Sequence, residues 1–195
     1  MFGLLLLLVI AAVLVGIYFL AQQGKASPSA SNERDRNEAP TIFNLRIGDF
    51  VQYMGTDWAV EGKLTYSSNG YSWLEYMLQD GNGIRWMSVE EDDLVEVTWT
   101  EPVSDNQISG LPPNPITFQG EQYRLTESGE AVMIRSGGTI NKRAERCKYY
   151  EYEGTENKVL SIEDWGSEME VNAGLKINPR LLELLPGDGK SVYNS

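Results

Sequence analysis

Closely spaced turn signals constrain this chain more than any other feature. Gly55-Thr56-Asp57, Ser67-Ser68-Asn69-Gly70 and Asp80-Gly81-Asn82-Gly83 each separate runs rich in aromatic and β-branched residues. Polar and apolar residues alternate over Asp49–Met54, and less strictly from Trp58 to Tyr66. Alternation puts successive side chains on opposite faces of an extended chain, so these runs read as half-buried strands. Strands about 8–12 residues apart with turn chemistry between them predict a meander that closes into a small barrel or curled sheet.

The pattern then recurs. Gly55-Thr-Asp-Trp58, Trp73-Leu-Glu75-Tyr76, Trp86-Met-Ser-Val-Glu90 and Val95-Glu-Val97 are followed by a second series in the same order. That series is Gly120-Glu-Gln-Tyr123, Tyr149-Tyr-Glu151-Tyr152, Val159-Leu-Ser-Ile-Glu163 and Met169-Glu-Val171. Four matches in one order point to an internal duplication. The expected fold is mainly β, with two tandem SH3-like or small-barrel (or curled-sheet) repeats over residues 42–111 and 112–195, joined near Leu111-Pro112-Pro113. Pro179–Leu185 carries Pro at its start, Pro186-Gly187 at its end and a Leu-rich face, which predicts a short C-terminal helix.

Residues 2–21, FGLLLLLVIAAVLVGIYFLA, contain no charge. As a helix they reach about 30 Å, the thickness of bilayer hydrocarbon, so a transmembrane helix is expected over 1–21. A cleaved secretory signal is the competing reading, but no Lys or Arg precedes the apolar core and that core is long for a signal. Lys25, Arg34 and Arg36 follow it, which favours an N-terminus outside and a cytoplasmic body on an inner (or thylakoid) membrane. Residues 22–41 hold no large apolar side chain and read as a flexible linker.

Gly48-Asp49-x-Val51, Trp58-x-Val-Glu-Gly62, Trp73-x-Glu-Tyr-x-Leu78, Trp86-x-x-Val-Glu90 and Tyr123-x-Leu-x-Glu-x-Gly-x-Ala131 resemble a bacterial family known only as a domain of unknown function, number four-one-seven-eight. The resemblance covers residues 46–185. An anchor followed by this domain is similar to the cyanobacterial arrangement of the family. The resemblance implies no catalytic residue or cofactor. The frequent placement of its members' genes near polyamine aminopropyltransferases and small membrane proteins implies a link to membrane or envelope physiology.

Composition narrows the chemistry. The chain has 195 residues, no histidine, one cysteine and a formal charge of −12. Without histidine there is no Ser-His or Cys-His nucleophile pair and no His-containing zinc site. Cys147 alone makes no internal disulfide. No phosphate loop, dinucleotide fingerprint or nucleophile elbow is present, so no enzyme activity and no cofactor are expected. The negative charge argues against nucleic acid. Residues 42–111 hold three basic and twelve acidic groups against ten and thirteen in 112–195, so most of the excess belongs to the first repeat.

Four sets of residues carry the functional expectations. Glu90, Glu91, Asp92 and Asp93 form the densest acidic run and offer oxygen ligands to a divalent cation or polyamine; a solvated turn is the plainer reading. Glu75 and Glu151 hold matching positions in the two repeats, as a carboxylate pair or in a shared structural role. Tyr71, Trp73 and Trp86 supply a recognition surface or fill a small core. Lys142, Arg143, Arg146 and Lys148 form a basic cluster, lipid-facing or merely solubilising. The function expected from these features is a membrane-anchored protein-interaction or assembly scaffold with an unidentified protein partner. The alternative is an acidic small-ligand sensor for a polyamine or divalent cation in membrane stress physiology.

Overall fold

A computed structural model of the chain describes residues 38–103, 108, 110–136 and 145–193. Eleven strands follow one another: β1 (Phe50–Tyr53), β2 (Thr56–Ser68), β3 (Tyr71–Asp80), β4 (Gly83–Glu91), β5 (Val95–Pro102), β6 (Ile116–Phe118), β7 (Glu121–Ser136), β8 (Arg146–Glu153), β9 (Lys158–Asp164), β10 (Met169–Ile177) and β11 (Glu183–Leu185). Two-residue connections fix the registers of the first hairpins. Ser68 pairs with Tyr71 across Asn69-Gly70, whose φ angles of 50° and 86° are the left-handed pair that such a turn demands.

All pairings are antiparallel. The ladder runs β2-β3-β4-β5-β10-β9-β8-β7, and β7 returns to β2 through Lys63–Ser67 against Val132–Ser136. One eight-stranded barrel is therefore closed by both halves of the chain. This corrects the expectation of two tandem barrels: neither half meets its own end, and each completes its sheet on the other through the β2–β7 and β5–β10 seams. Closure leaves no free edge among these eight strands, which a four-stranded half would have carried on both sides.

The matched sequence segments occupy corresponding ladder positions. Glu75 faces Ser88 and Ser88 faces Thr98; Glu151 faces Ser161 and Ser161 faces Asn172. Even the irregularities correspond. β2 shifts register against β3 between Val60 and Gly62, and β7 shifts against β8 between Leu125 and Glu127.

Apolar residues are buried in three places. One cluster lies inside the barrel around Leu64, Tyr66, Trp73, Met77, Met133, Cys147, Tyr149 and Trp165. The other two lie on the outer faces of the halves. Val60, Leu78, Met87, Val89 and Val97 are covered by Leu45, β1 and Leu182 and Leu184. Tyr152, Leu160, Ile162 and Val171 are covered by Ile116, Phe118 and Val103. Each strand thus buries both faces over part of its length, which frees part of the interior for polar residues.

The expected C-terminal helix is also corrected. Pro179–Leu181 makes one 3-10 turn capped by Asn178, and Glu183–Leu185 then joins β1 as a strand. Seven residues give too few hydrogen bonds to sustain a free helix. An edge on β1 rewards alternation instead, with Leu182 and Leu184 turned to the outer cluster and Glu183 and Leu185 exposed. The chain then straps back over the sheet. Gly187 N–H donates to Asp49 Oδ1 at 2.8 Å, and fully buried Glu61 accepts from the Ser191 hydroxyl and from the N–H groups of Val192 and Tyr193 at 2.7 and 3.2 Å.

The membrane assignment is corrected as well. Among the described residues no helix is long and apolar enough to cross a membrane. The expected span over 1–21 lies outside the described residues, as does most of the expected linker. The described chain thus gives the single-pass localisation no spanning element.

Candidate functional site

Alternation along each barrel strand decides what the lumen contains. β8 turns Cys147, Tyr149, Glu151 and Glu153 inward, and the first two are buried while Glu153 is exposed. β3 turns Tyr71, Trp73 and Glu75 inward, and β4 turns Trp86, Ser88 and Glu90 inward. The aromatic members close the lumen at depth. Trp73 stacks on Tyr66, with centroids 5.0 Å apart and planes within 5°, and meets Tyr149 edge-on at 5.2 Å. Gly129 faces Tyr149 across the ladder, and a Cβ there would sit 2.9 Å from the phenol oxygen, so the missing side chain makes room for the ring.

Above this floor the lumen is polar. Glu75, Ser88, Glu90, Thr98, Thr100, Glu127, Glu151, Ser161 and Asn172 line its inner part, a space of about 30 Å³, enough to admit water. It opens into a cavity of about 530 Å³ at the end of the barrel marked by the β2–β3 and β4–β5 turns. Ser88, Glu90, Thr98, Glu127, Tyr149 and Glu151 belong to both walls, so the two spaces are continuous. The outer cavity falls in the size range of small-ligand pockets.

The electrostatics of this space are one-sided. Among the described residues the outer wall carries Glu90, Asp92, Asp93, Glu96, Glu127, Glu151 and Glu153 against a single cation, Lys176. Tyr149 donates its hydroxyl to Glu127 Oε1 at 2.7 Å, and Ser161 donates to Glu151 Oε1 at 2.7 Å. Burial pushes the Glu151 carboxyl up to about 8 against the pull of the Ser161 hydroxyl, and the charges of Glu90, Glu163 and Glu127 add to the rise. Glu90 is raised too, by burial first and then by Glu127 and Glu96, with Lys176 opposing. Lys176 loses some charge stability to burial, but its hydrogen bonds to Glu153 and Glu96 outweigh that loss and hold it above the ordinary lysine value.

The structure brings several of the sequence-derived residues together. Tyr71, Trp73, Glu75, Trp86 and Glu151, from both halves of the chain, line the inner space. In the acidic run, Glu90 lines both spaces, Asp92 and Asp93 line the outer one, and exposed Glu91 lines neither because alternation turns it away. Arg146 and Lys148 are exposed on β8, on the face opposite Cys147 and Tyr149. Lys142 and Arg143 lie outside the described residues. Glu127 and Lys176 were not singled out from sequence. Glu127 sits just past the β7 bulge, where strict alternation fails, and Lys176 is an isolated base in β10 with no motif around it.

Among the described residues no group of three or more Asp, Glu or Cys is placed to hold a metal ion. The acidic side chains of the wall come from β4, the β4–β5 turn, β5, β7 and β8.

Comparison with known proteins adds a family. The model described as "Domain of unknown function (DUF4178)" matches residues 46–179, and the chain belongs to that family. It is 26% identical over 192 residues to an uncharacterized protein of Mycobacterium tuberculosis, covering 92% of each chain, and equally to one of Mycobacterium bovis. An uncharacterized protein of Aquifex aeolicus is 23% identical over 154 residues, covering 73% of this chain and 84% of the relative. No solved structure matches.

Proposed function

We propose that this member of the family is a binding module for a small organic cation, an aliphatic amine with more than one ammonium group, taken into the open end of the barrel. The observation that carries the reading is the convergence of Glu90, Glu127 and Glu151 on one concave space of about 530 Å³. An ammonium group there meets carboxylates in a partly water-excluded site, where charge-assisted hydrogen bonds are roughly twice as strong as neutral ones. Tyr71 and Tyr149 on the same wall offer ring surface to the alkyl segments between the charges. A concave acidic site favours this reading over the scaffold role expected from sequence, which calls for a broad apolar surface.

Calorimetric titration of the full chain with 1,4-diaminobutane and spermidine, at low salt and pH 7–8, tests the proposal. Saturable binding that weakens at least tenfold in Glu127→Gln supports it. No heat at millimolar amine, or equal affinity in wild type and variant, rejects it.

A further inference from the structure

Lys176, the one cation on the cavity wall among the described residues, stands where a ligand's own ammonium would stand. Lys176, opposite Thr98 on β10, places its Nζ 2.5 Å from Glu96 Oε2 on β5 and 2.7 Å from Glu153 Oε1 on β8. Three strands therefore meet through one ammonium at the rim. Deeper on the same wall, Glu90, Glu127 and Glu151 have no cation within ion-pair distance among the described residues. The Ser68 hydroxyl, on a residue only 6% exposed, lines the same cavity beside the Tyr149 hydroxyl. The rim site is filled from within the chain, and the inner site is not.

We propose that Lys176 sets the specificity of the cavity as a tethered ammonium: it fills the cation position between Glu96 and Glu153, so the cavity favours a diamine over a longer polyamine. The inference rests on the reading of the cavity as an amine site. Its logic is one of position. Glu96 and Glu153 are satisfied by Lys176, while Glu90 and Glu127 beneath them and Asp92 and Asp93 in the β4–β5 turn pair with no lysine or arginine among the described residues. A further ammonium finds the place between Glu96 and Glu153 already occupied by a competitor that no dilution removes, since a tethered group acts at high effective concentration.

The test measures preference rather than affinity alone. 1,4-Diaminobutane, spermidine and spermine are titrated into full-length wild type, Lys176→Met and Lys176→Gln, with Lys148→Gln as a control that removes one positive charge from the exposed face of β8. The preference for spermidine over the diamine is expected to rise at least tenfold in both Lys176 variants, because the Glu96–Glu153 pair becomes available. It is expected to stay within about twofold of wild type in Lys148→Gln. An equal rise in the control, or an unchanged preference in the Lys176 variants that still bind amine, overturns the role of Lys176 alone. Absence of binding by any amine in every protein overturns the cavity reading with it. Near-ultraviolet circular dichroism matching wild type verifies that the variants are folded, and two variants differing in polarity separate loss of charge from loss of packing.

Discussion

Glu151→Gln isolates the electrostatic cost built into the lumen. In the folded protein the Glu151 carboxyl titrates at about 8 against an ordinary value of 4.5. Between those two pH values the native state holds a proton that the unfolded chain has released. Stability therefore falls as pH rises through this window, since the state binding more protons is favoured at lower pH. One proton corresponds to about 1.4 kcal/mol per pH unit, so the full window sets an upper limit of several kcal/mol. Solvent entering from the mouth, and coupling to the raised Glu90 carboxyl, reduce the expected figure to about 2 kcal/mol.

Glutamine matches the protonated acid in shape and can still accept from the Ser161 hydroxyl, but it cannot ionise. The variant is expected to lie within about 1 kcal/mol of wild type at pH 5.5, where Glu151 is neutral. At pH 9 it is expected to be more stable than wild type by about 2 kcal/mol. Urea unfolding followed by tryptophan fluorescence measures both, because Trp73 and Trp86 sit in the lumen wall. The general repulsion of a chain with charge −12 affects both proteins alike and cancels in the difference. Parallel stability curves from pH 5.5 to 9 refute the reasoning: the lumen would then be wet enough to ionise Glu151 at no cost.

Three further expectations concern the frame that holds the lumen. Leu160, fully buried in the outer cluster of the second half, should cost about 2–5 kcal/mol on replacement by alanine in the same urea assay. Gly174→Ala should cost more than about 2 kcal/mol, since its Cβ would lie 2.0 Å from the Trp99 carbonyl oxygen and only a shift of the β5–β10 seam relieves that overlap. Truncation after Pro186 removes the donors from Ser191, Val192 and Tyr193 to Glu61 and from Gly187 to Asp49, and should lower the unfolding free energy by about 2–4 kcal/mol. A truncated chain with unchanged stability would mean that solvent replaces those donors without loss.

Local chemistry was legible in the sequence because it is local. Asn69-Gly70 announces a turn, and the matching positions of Glu75 and Glu151 in the two repeats do come to line one inner space. Barrel closure was not legible in this way. The β2–β7 seam joins Lys63 to Ser136, and nothing in either segment states that its partner lies in the other half. A duplication reads equally well as two small barrels or as two halves of one. The difference is decided by which edges remain to be paired. The terminal helix was misread for a related reason, since a Leu-rich run flanked by prolines satisfies helix signals until an unpaired edge on β1 competes for it. The apolar stretch 1–21 spoke to length and hydropathy only, and no element of the described chain answers it.

The departures from the duplication explain why this barrel has an open polar lumen at all. Positions that keep the repeat, Glu75 with Ser88 and Glu151 with Ser161, put a carboxylate and a hydroxyl on each half of the wall. Positions that break it change the volume. The ladder sets Trp86 of the first half against Val159 of the second, so one half fills the interior where the other withdraws. At the paired bulges Gly62 of the first half corresponds to Glu127 of the second, which adds a carboxylate to the wall on one side only. A symmetric barrel with Trp at both positions would crowd its axis, and one with Glu at both would set further like charges facing one another in a narrow space. Asymmetry therefore supplies both the opening and the charge gradient toward it. On this argument Val159→Trp, which restores the symmetry, should abolish amine binding while leaving the outer clusters and the fold intact. A variant that still binds amine with wild-type affinity would show that the opening lies elsewhere.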